Sequence, residues 1–279
     1  MEKGRLVRVV ASPAIIFTDL DGTLLDHDSY SYESARPALE ALRTQGIPVV
    51  FCTSKTRAEV EAIRRDLDNR QPFIAENGGA IFIPADCFPF PVPAGKARGP
   101  YQVIELGVEY RQVVATLRRA ASTSACAVSG FHEMSVADVA RRCRMSLQAA
   151  ARAKQREYDE PFEILTDNPT AVCSLFERIE EEGLTWTRGG RFHHLRGRHN
   201  KGNAAQILTE LFRRQRPETI TVGLGDGPND ISLLEVVDVP IIIPARHGRG
   251  LDEGAGMTVA AHPGPRGWNQ AVLHLLGRA

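Results

Sequence analysis

Apolar residues fall into two patterns along this chain. Unbroken runs at Pro13–Leu20, Ile47–Cys52 and Thr219–Leu224 carry branched or aromatic residues at consecutive positions. Such runs predict strands buried on both faces, as in a parallel sheet covered by helices. Between them, Ser34–Gln45, Arg57–Leu67 and Lys201–Arg214 space their apolar residues at helical intervals. The first segment therefore reads β-α-β-α-β, its third strand being Phe73-Ile74-Ala75, followed by Glu76-Asn77-Gly78-Gly79.

A Pro- and Gly-rich stretch at 84–100 breaks this rhythm and reads as a linker. Beyond it the pattern predicts a strand at 101–106, a helix at 108–121, polar helical stretches at 135–155 and a strand at 162–166. A helix at 169–183 and strands within 184–196 follow. The alternating pattern then returns, with helices at 201–214 and 229–237, strands at 219–224 and 240–243, and a closing helix at 267–277. The expected fold class is α/β: a Rossmann-like core with a parallel sheet, interrupted by an inserted α/β domain. The expected boundaries are 1–84 and 197–279 for the core and 85–196 for the insertion.

Composition narrows the function. The 34 basic and 34 acidic residues cancel, so neither nucleic acid nor an anionic membrane is the expected partner. No apolar run is long enough to span a bilayer, and the N-terminal residues lack the apolar core of a signal peptide. Five scattered cysteines with no Cys-x-x-Cys pair read as free thiols of a cytoplasmic protein. Only five residues are lysines (3, 55, 96, 154 and 201), so each lysine invites the question why arginine would not serve.

In parallel α/β sheets, ligands bind beyond the carboxyl ends of the strands. Those ends carry Asp19-x-Asp21, then Thr53-Ser54-Lys55, then Gly225-Asp226-x-x-Asn229-Asp230. Four carboxylates at one sheet edge need a cation, and Mg²⁺ is the natural one, since it takes oxygen ligands and shares them with phosphate. Lys201 at a helix start opposes the helix dipole unless an anion lies nearby.

The conjunction of D19-L-D21-G-T23-L, Thr53, Lys201 and G225-D226-x-x-N229-D230 resembles the haloacid dehalogenase (HAD) phosphohydrolases. About 30 residues separate Asp21 from Thr53, too few for a lid there. The insertion falls between Thr53 and Lys201, which resembles the C2-capped, Cof-like subgroup. The resemblance implies that Asp19 attacks phosphorus to form an aspartyl-phosphate, and that Asp21 protonates the leaving alkoxide and later activates water. It further implies that Asp19, the Asp21 backbone carbonyl and Asp226 hold Mg²⁺. Thr53, Ser54 and Lys201 would bind the phosphoryl oxygens, with Asn229 and Asp230 supporting metal and lysine.

Within the insertion, A153-K-Q-R-E-Y-D-E-P-F162 and R191-F-H-H-L-R-G-R198, with S54-K-T-R57 and the tail stretch 256–269, resemble the mannosyl-3-phosphoglycerate phosphatase branch. The implied substrate is a small phosphorylated sugar-glycerate. Arg156, Arg191 and Arg196 would clamp its carboxylate, Glu157 and His193 would bind sugar hydroxyls, and Asn77 would lie near the substrate. Competing expectations are a glucosyl-3-phosphoglycerate or other sugar phosphatase, a phosphomannomutase-like phosphotransferase, and a phosphosugar-binding regulator without turnover.

Overall fold

The structure, a computed structural model, describes residues 13–188, 192–246, 250–251 and 256–278. The first part of the chain runs β1 (Ala14–Thr18), α1 (Arg36–Thr44), β2 (Val49–Cys52), α2 (Arg57–Asp66), β3 (Phe73–Ala75), β4 (Ala80–Pro84), β5 (Lys96–Arg98) and β6 (Tyr101–Glu105). The middle part comprises α3 (Tyr110–Ser124), β7 (Val128–Gly130), α4 (Val136–Cys143), α5 (Leu147–Ala153), β8 (Asp159–Ile164), α6 (Pro169–Glu181), β9 (Thr185–Arg188) and β10 (His193–Arg196). The chain closes with α7 (Lys201–Gln215), β11 (Ile220–Gly225), α8 (Ile231–Leu234), β12 (Val239–Ile242), β13 (Thr258–Val259) and α9 (Gly264–Leu275).

Nine strands form one sheet in the order β13-β12-β11-β1-β2-β3-β4-β6-β5. From β13 to β3 every pairing is parallel, and beyond β3 every pairing is antiparallel. The unbroken apolar runs follow from burial on both faces. Ala14 and Ile16 of β1 pack on one face with Leu42, Phe51 and Trp268, while Ile15 and Phe17 pack on the other with Val50, Ile74 and Leu208. From β1 the chain first moves to β2 on one side, and β11 later joins on the other. The reversal opens a crevice beyond the carboxyl end of β1.

The second sheet, β7-β8-β10-β9, is antiparallel throughout. Its Phe162 and Leu195 pack against Val113 and Leu117 of α3 and Leu175 and Ile179 of α6. The polar stretch at 135–155 becomes two short helices, each started by a serine side chain, Ser135 and Ser146, that accepts a backbone N–H of the first turn.

Three expectations shift. The linker and first strand of the expected insertion form a hairpin on the edge of the large sheet, because Tyr101 and Val103 turn inward onto Phe73 and Phe82. The strand expected at 162–166 starts at Asp159, whose backbone pairs with Arg196. Its charged opening, Asp-Glu-Pro, hides a strand whose first polar side chains are buried against specific partners. The helix expected at 229–237 is a single 3₁₀ turn, Pro228–Asp230, followed by the four-residue α8.

Candidate active site

Asp19 follows the last residue of β1 and is held from two sides. Its N–H donates to the Leu224 carbonyl at 2.9 Å. Its carbonyl accepts the Thr18 hydroxyl at 2.7 Å, and that hydroxyl in turn accepts the Trp268 indole N–H at 3.0 Å. The chain then turns at Gly22, where φ is +83° and a Cβ would stand 2.5 Å from an Asp226 carboxylate oxygen. Glycine is required there both for the left-handed backbone and for the close approach.

Lys201, fully buried at the start of α7, answers the question of its rarity. Its ammonium lies 2.5 Å from Asp19 Oδ1 and 2.6 Å from Asp230 Oδ1. A compact ammonium can sit between two carboxylates where a planar guanidinium would not fit. Burial works against its charge, but Asp19 and Asp230 outweigh that and raise its pKa. The other Asp230 oxygen accepts the N–H groups of Asp226 and Gly227 at 3.1 and 3.0 Å, closing the loop after β11. Thr23 donates to Asp226 Oδ1 at 2.8 Å, tying that loop to the turn after β1.

One ammonium thus faces three acids. Burial, with Asp230 and Asp226 adding to it, raises the Asp19 carboxyl well above the usual range against the pull of Lys201. Burial and Asp230 push Asp226 up to about 7. Oxygens of Asp19, Asp226 and Asp230 all lie within 4.8 Å of one another. A hard, oxygen-seeking divalent cation fits such a set, because it supplies the positive charge that Lys201 alone does not. The acidic cluster can therefore hold a metal ion. The Asp21 side chain is not part of it. Asp21 Oδ2 pairs with Lys55 at 2.7 Å, while Oδ1 is buried and, among the described residues, has no hydrogen-bond partner.

Thr53, buried at the end of β2, accepts the Lys55 N–H on its hydroxyl at 3.2 Å and the Asn77 N–H on its carbonyl at 2.9 Å. The loop Thr53–Lys55 is thereby interlocked with the loop Glu76–Gly78, where Glu76, Asn77 and Gly78 all have positive φ. Cys52, beside them, is core: burial pushes its thiol far from ionisation.

The cap residues expected to bind substrate are mostly engaged elsewhere. The Arg156 guanidinium is buried and donates to the Ser54 and Ala153 carbonyls, at 2.9 and 3.0 Å, and so braces the β2 loop. Glu157 pairs with Arg57 at 3.0 Å and Arg98 at 2.5 Å. The Arg196 guanidinium is buried and donates to the His199 carbonyl. His193 points away from the acids into Phe162, Phe176 and Trp186, with ring centres 5.5 to 6.0 Å apart. Arg191 lies outside the described residues. Asn77 bridges two side chains, donating to Asp159 Oδ2 and accepting from Asn229 Nδ2, both at 3.1 Å.

Four residues absent from the sequence-based set join the site. Lys55 is buried between Asp21 and Glu59, which outweigh burial and raise its pKa, and it lies 5.0 Å from the Tyr30 ring centre. Its rarity as a lysine was the available signal. Glu76 accepts the backbone N–H groups of Glu157, Tyr158 and Asp159 at 2.9 Å each. Asp159 and His194 pair at 2.8 Å.

The chain matches the haloacid dehalogenase-like hydrolase family over residues 16–87. It is 42% identical over 267 residues to a glucosyl-3-phosphoglycerate/mannosyl-3-phosphoglycerate phosphatase of Methanococcoides burtonii, covering 95% of this chain and 97% of that protein. It is 35% identical over 235 residues to a mannosyl-3-phosphoglycerate phosphatase of Pyrococcus furiosus, covering 82% and 90%. In three dimensions it is similar to a HAD subclass IIB sugar phosphatase, with a TM-score of 0.63, 17% identity, and 95% and 100% coverage.

Proposed function

The chain belongs to the haloacid dehalogenase-like hydrolases and is a phosphatase, and from that premise we propose that it hydrolyses the phosphomonoester of mannosyl-3-phosphoglycerate to mannosylglycerate and phosphate. The relative at 42% identity bears both glucosyl- and mannosyl-3-phosphoglycerate in its name, and that favours acceptance of the glucosyl ester as well. The observation that carries the reaction class is the buried ammonium of Lys201 between Asp19 and Asp230 at the crevice beyond β1.

In this reading Asp19 is the nucleophile. Its backbone is pinned by Leu224 and Thr18 and its carboxylate is held by Lys201, which limits the reorientation needed to meet phosphorus. The Asp19–phosphorus bond forms as the bond to the leaving alkoxide breaks, and Asp21 delivers a proton to that alkoxide. In the second half Asp21 takes a proton from water, which displaces Asp19 from the phosphoryl group. Splitting the hydrolysis in this way replaces one hard step by two easier ones. Lys201, Thr53 and Ser54 bind the phosphoryl oxygens, and Lys201 offsets the repulsion between an anionic nucleophile and an anionic ester.

Asp19 and Asp226, with the Asp21 carbonyl, would hold Mg²⁺, and Asn229 and Asp230 would support it. When bound, it neutralises charge on the phosphoryl oxygens. We take the cap to run from about residue 106 to 197, since the hairpin before it belongs to the large sheet. A cytoplasmic location accords with the free thiols of Cys52, Cys87, Cys126 and Cys173. Among the described residues no helix is long and apolar enough to cross a membrane.

Phosphate release from a panel of esters, with and without Mg²⁺, tests the reading. Release from the glycosyl-3-phosphoglycerates above simple hexose phosphates is expected. Preference for hexose phosphates would reject the substrate, and no release from any ester would reject the enzyme.

A further inference from the structure

Strand β10 sends its two histidines to opposite faces of the small sheet, as the two-residue repeat of a strand requires. His193 enters the aromatic cluster described above. His194 lies on the other face, with Nδ1 2.8 Å from Asp159 Oδ1. Asp159 is fully buried, and its second oxygen accepts the Asn77 amide, which itself accepts from Asn229. Three hydrogen bonds therefore join this imidazole to the loop that carries Asp226 and Asp230. A second connection runs through Arg156, 4.0 Å from the same Asp159 oxygen and bonded to the Ser54 carbonyl.

A buried carboxylate that takes the Nδ1–H holds the ring in one tautomer and one orientation. On the neutral ring, Nε2 then carries a lone pair. The His194 side chain is 18% exposed, and among the described residues Nε2 meets no hydrogen-bond partner. The phosphoryl group has its own ligands in Lys201, Thr53 and Ser54, so what an acceptor in the cap can add is recognition of the alcohol beyond the phosphate. Arg156, Glu157 and His193 are engaged in other contacts, whereas His194 is a polar group whose orientation Asp159 fixes on that face.

Building on the phosphosugar reading above, we propose that His194 Nε2 accepts a hydrogen bond from a hydroxyl of the ester's leaving group, with Asp159 as its positioning residue. This makes His194 a specificity-determining residue rather than a participant in phosphoryl transfer.

Two variants separate the ring's two nitrogens. His194→Asn keeps a donor near the Nδ1 position for Asp159 and removes the group at Nε2. His194→Gln reaches the Nε2 position with an amide. Each is compared with wild type on the best phosphosugar of the ester panel and on p-nitrophenyl phosphate, whose leaving group has no sugar hydroxyl. For His194→Asn, kcat/KM on the phosphosugar should fall about tenfold, mainly through KM, as expected for one lost hydrogen bond. Hydrolysis of p-nitrophenyl phosphate should stay within about twofold. His194→Gln should recover part of the loss. Parallel loss on both esters, or no loss on the phosphosugar, would overturn the proposal. The wild-type ester preference judges the substrate reading separately, because the variant ratio is taken on whichever phosphosugar the wild type prefers.

Discussion

Glu76, in the large sheet's loop after β3, accepts the backbone N–H of Tyr158 at the start of the small sheet at 2.9 Å. The same carboxylate also takes the N–H groups of Glu157 and Asp159, so one side chain caps the entry to β8. It is buried and sits in a left-handed backbone at φ 47°, a strained conformation for glutamate. The Glu76→Ala variant leaves three backbone donors, two of them buried, without this acceptor and should lose about 2–4 kcal/mol of stability. Urea unfolding measures it; an unchanged midpoint would show that the contact does not hold the two sheets together.

Asp19→Asn keeps the shape of the side chain and removes the nucleophilic oxygen. Turnover should drop to background while far-UV circular dichroism stays that of the wild type. Residual activity above background in the purified variant would exclude Asp19 as the nucleophile.

Lys201→Met removes the ammonium between Asp19 and Asp230 while keeping an unbranched apolar stem. Loss of such a preorganised charge should lower kcat by about 10²–10³-fold. Lys201→Arg should not rescue it, because the guanidinium is larger and planar where the site offers room for a point charge. Rescue by arginine would show that charge alone matters here.

The acids predict a pH dependence of the metal-free protein. Asp226 is raised to about 7, so between about pH 4 and pH 7 the folded chain binds more protons there than the unfolded chain does. That contribution to stability is present at low pH and is lost as pH rises toward 7; the raised Asp19 acts in the same direction. In chelator, the melting temperature should fall from pH 5 to pH 8. Added Mg²⁺ should reverse the fall most at the upper end, where the carboxylates are ionised. A chelated protein whose stability rose over this range would contradict the assignment.

Gly22→Ala puts a methyl group where the structure has room for none beside Asp226 and forces a left-handed residue. Backbone strain alone should cost about 1–2 kcal/mol. Displacement of Asp226 should weaken Mg²⁺ binding, which calorimetric titration would read. Wild-type affinity would mean that Asp226 does not contact the metal from this position.

The core motifs were legible because each lies within a few residues of a strand or helix end that the apolar pattern already marks. Asp19 and Asp21 follow β1, Thr53 follows β2, and Asp226–Asp230 follows β11. That those ends share one edge was legible too, since parallel strands with helical crossovers all point the same way. The cap side chains were not legible by the same route. Arg156, Glu157 and Arg196 carry chemistry that suits a carboxylate or a hydroxyl, yet they bond Ser54, Arg57, Arg98 and the His199 carbonyl. Glu76 is not legible in the sequence, because its partners lie 81 to 83 residues away and are backbone groups, which carry no sequence signature.

His193 and His194 mark the boundary between the two kinds of information. The sequence by itself determined that adjacent strand residues face opposite ways and that the acids share one sheet edge with a lysine. Which histidine meets the site depends on which face of the small sheet α3 and α6 cover, and that is decided by burial of Phe162, Leu195 and the helices' apolar stripes. A local pattern sets the period of side chains, because backbone geometry is local. Only packing between distant segments sets the phase, because only there does one face leave water and the other remain to meet a ligand.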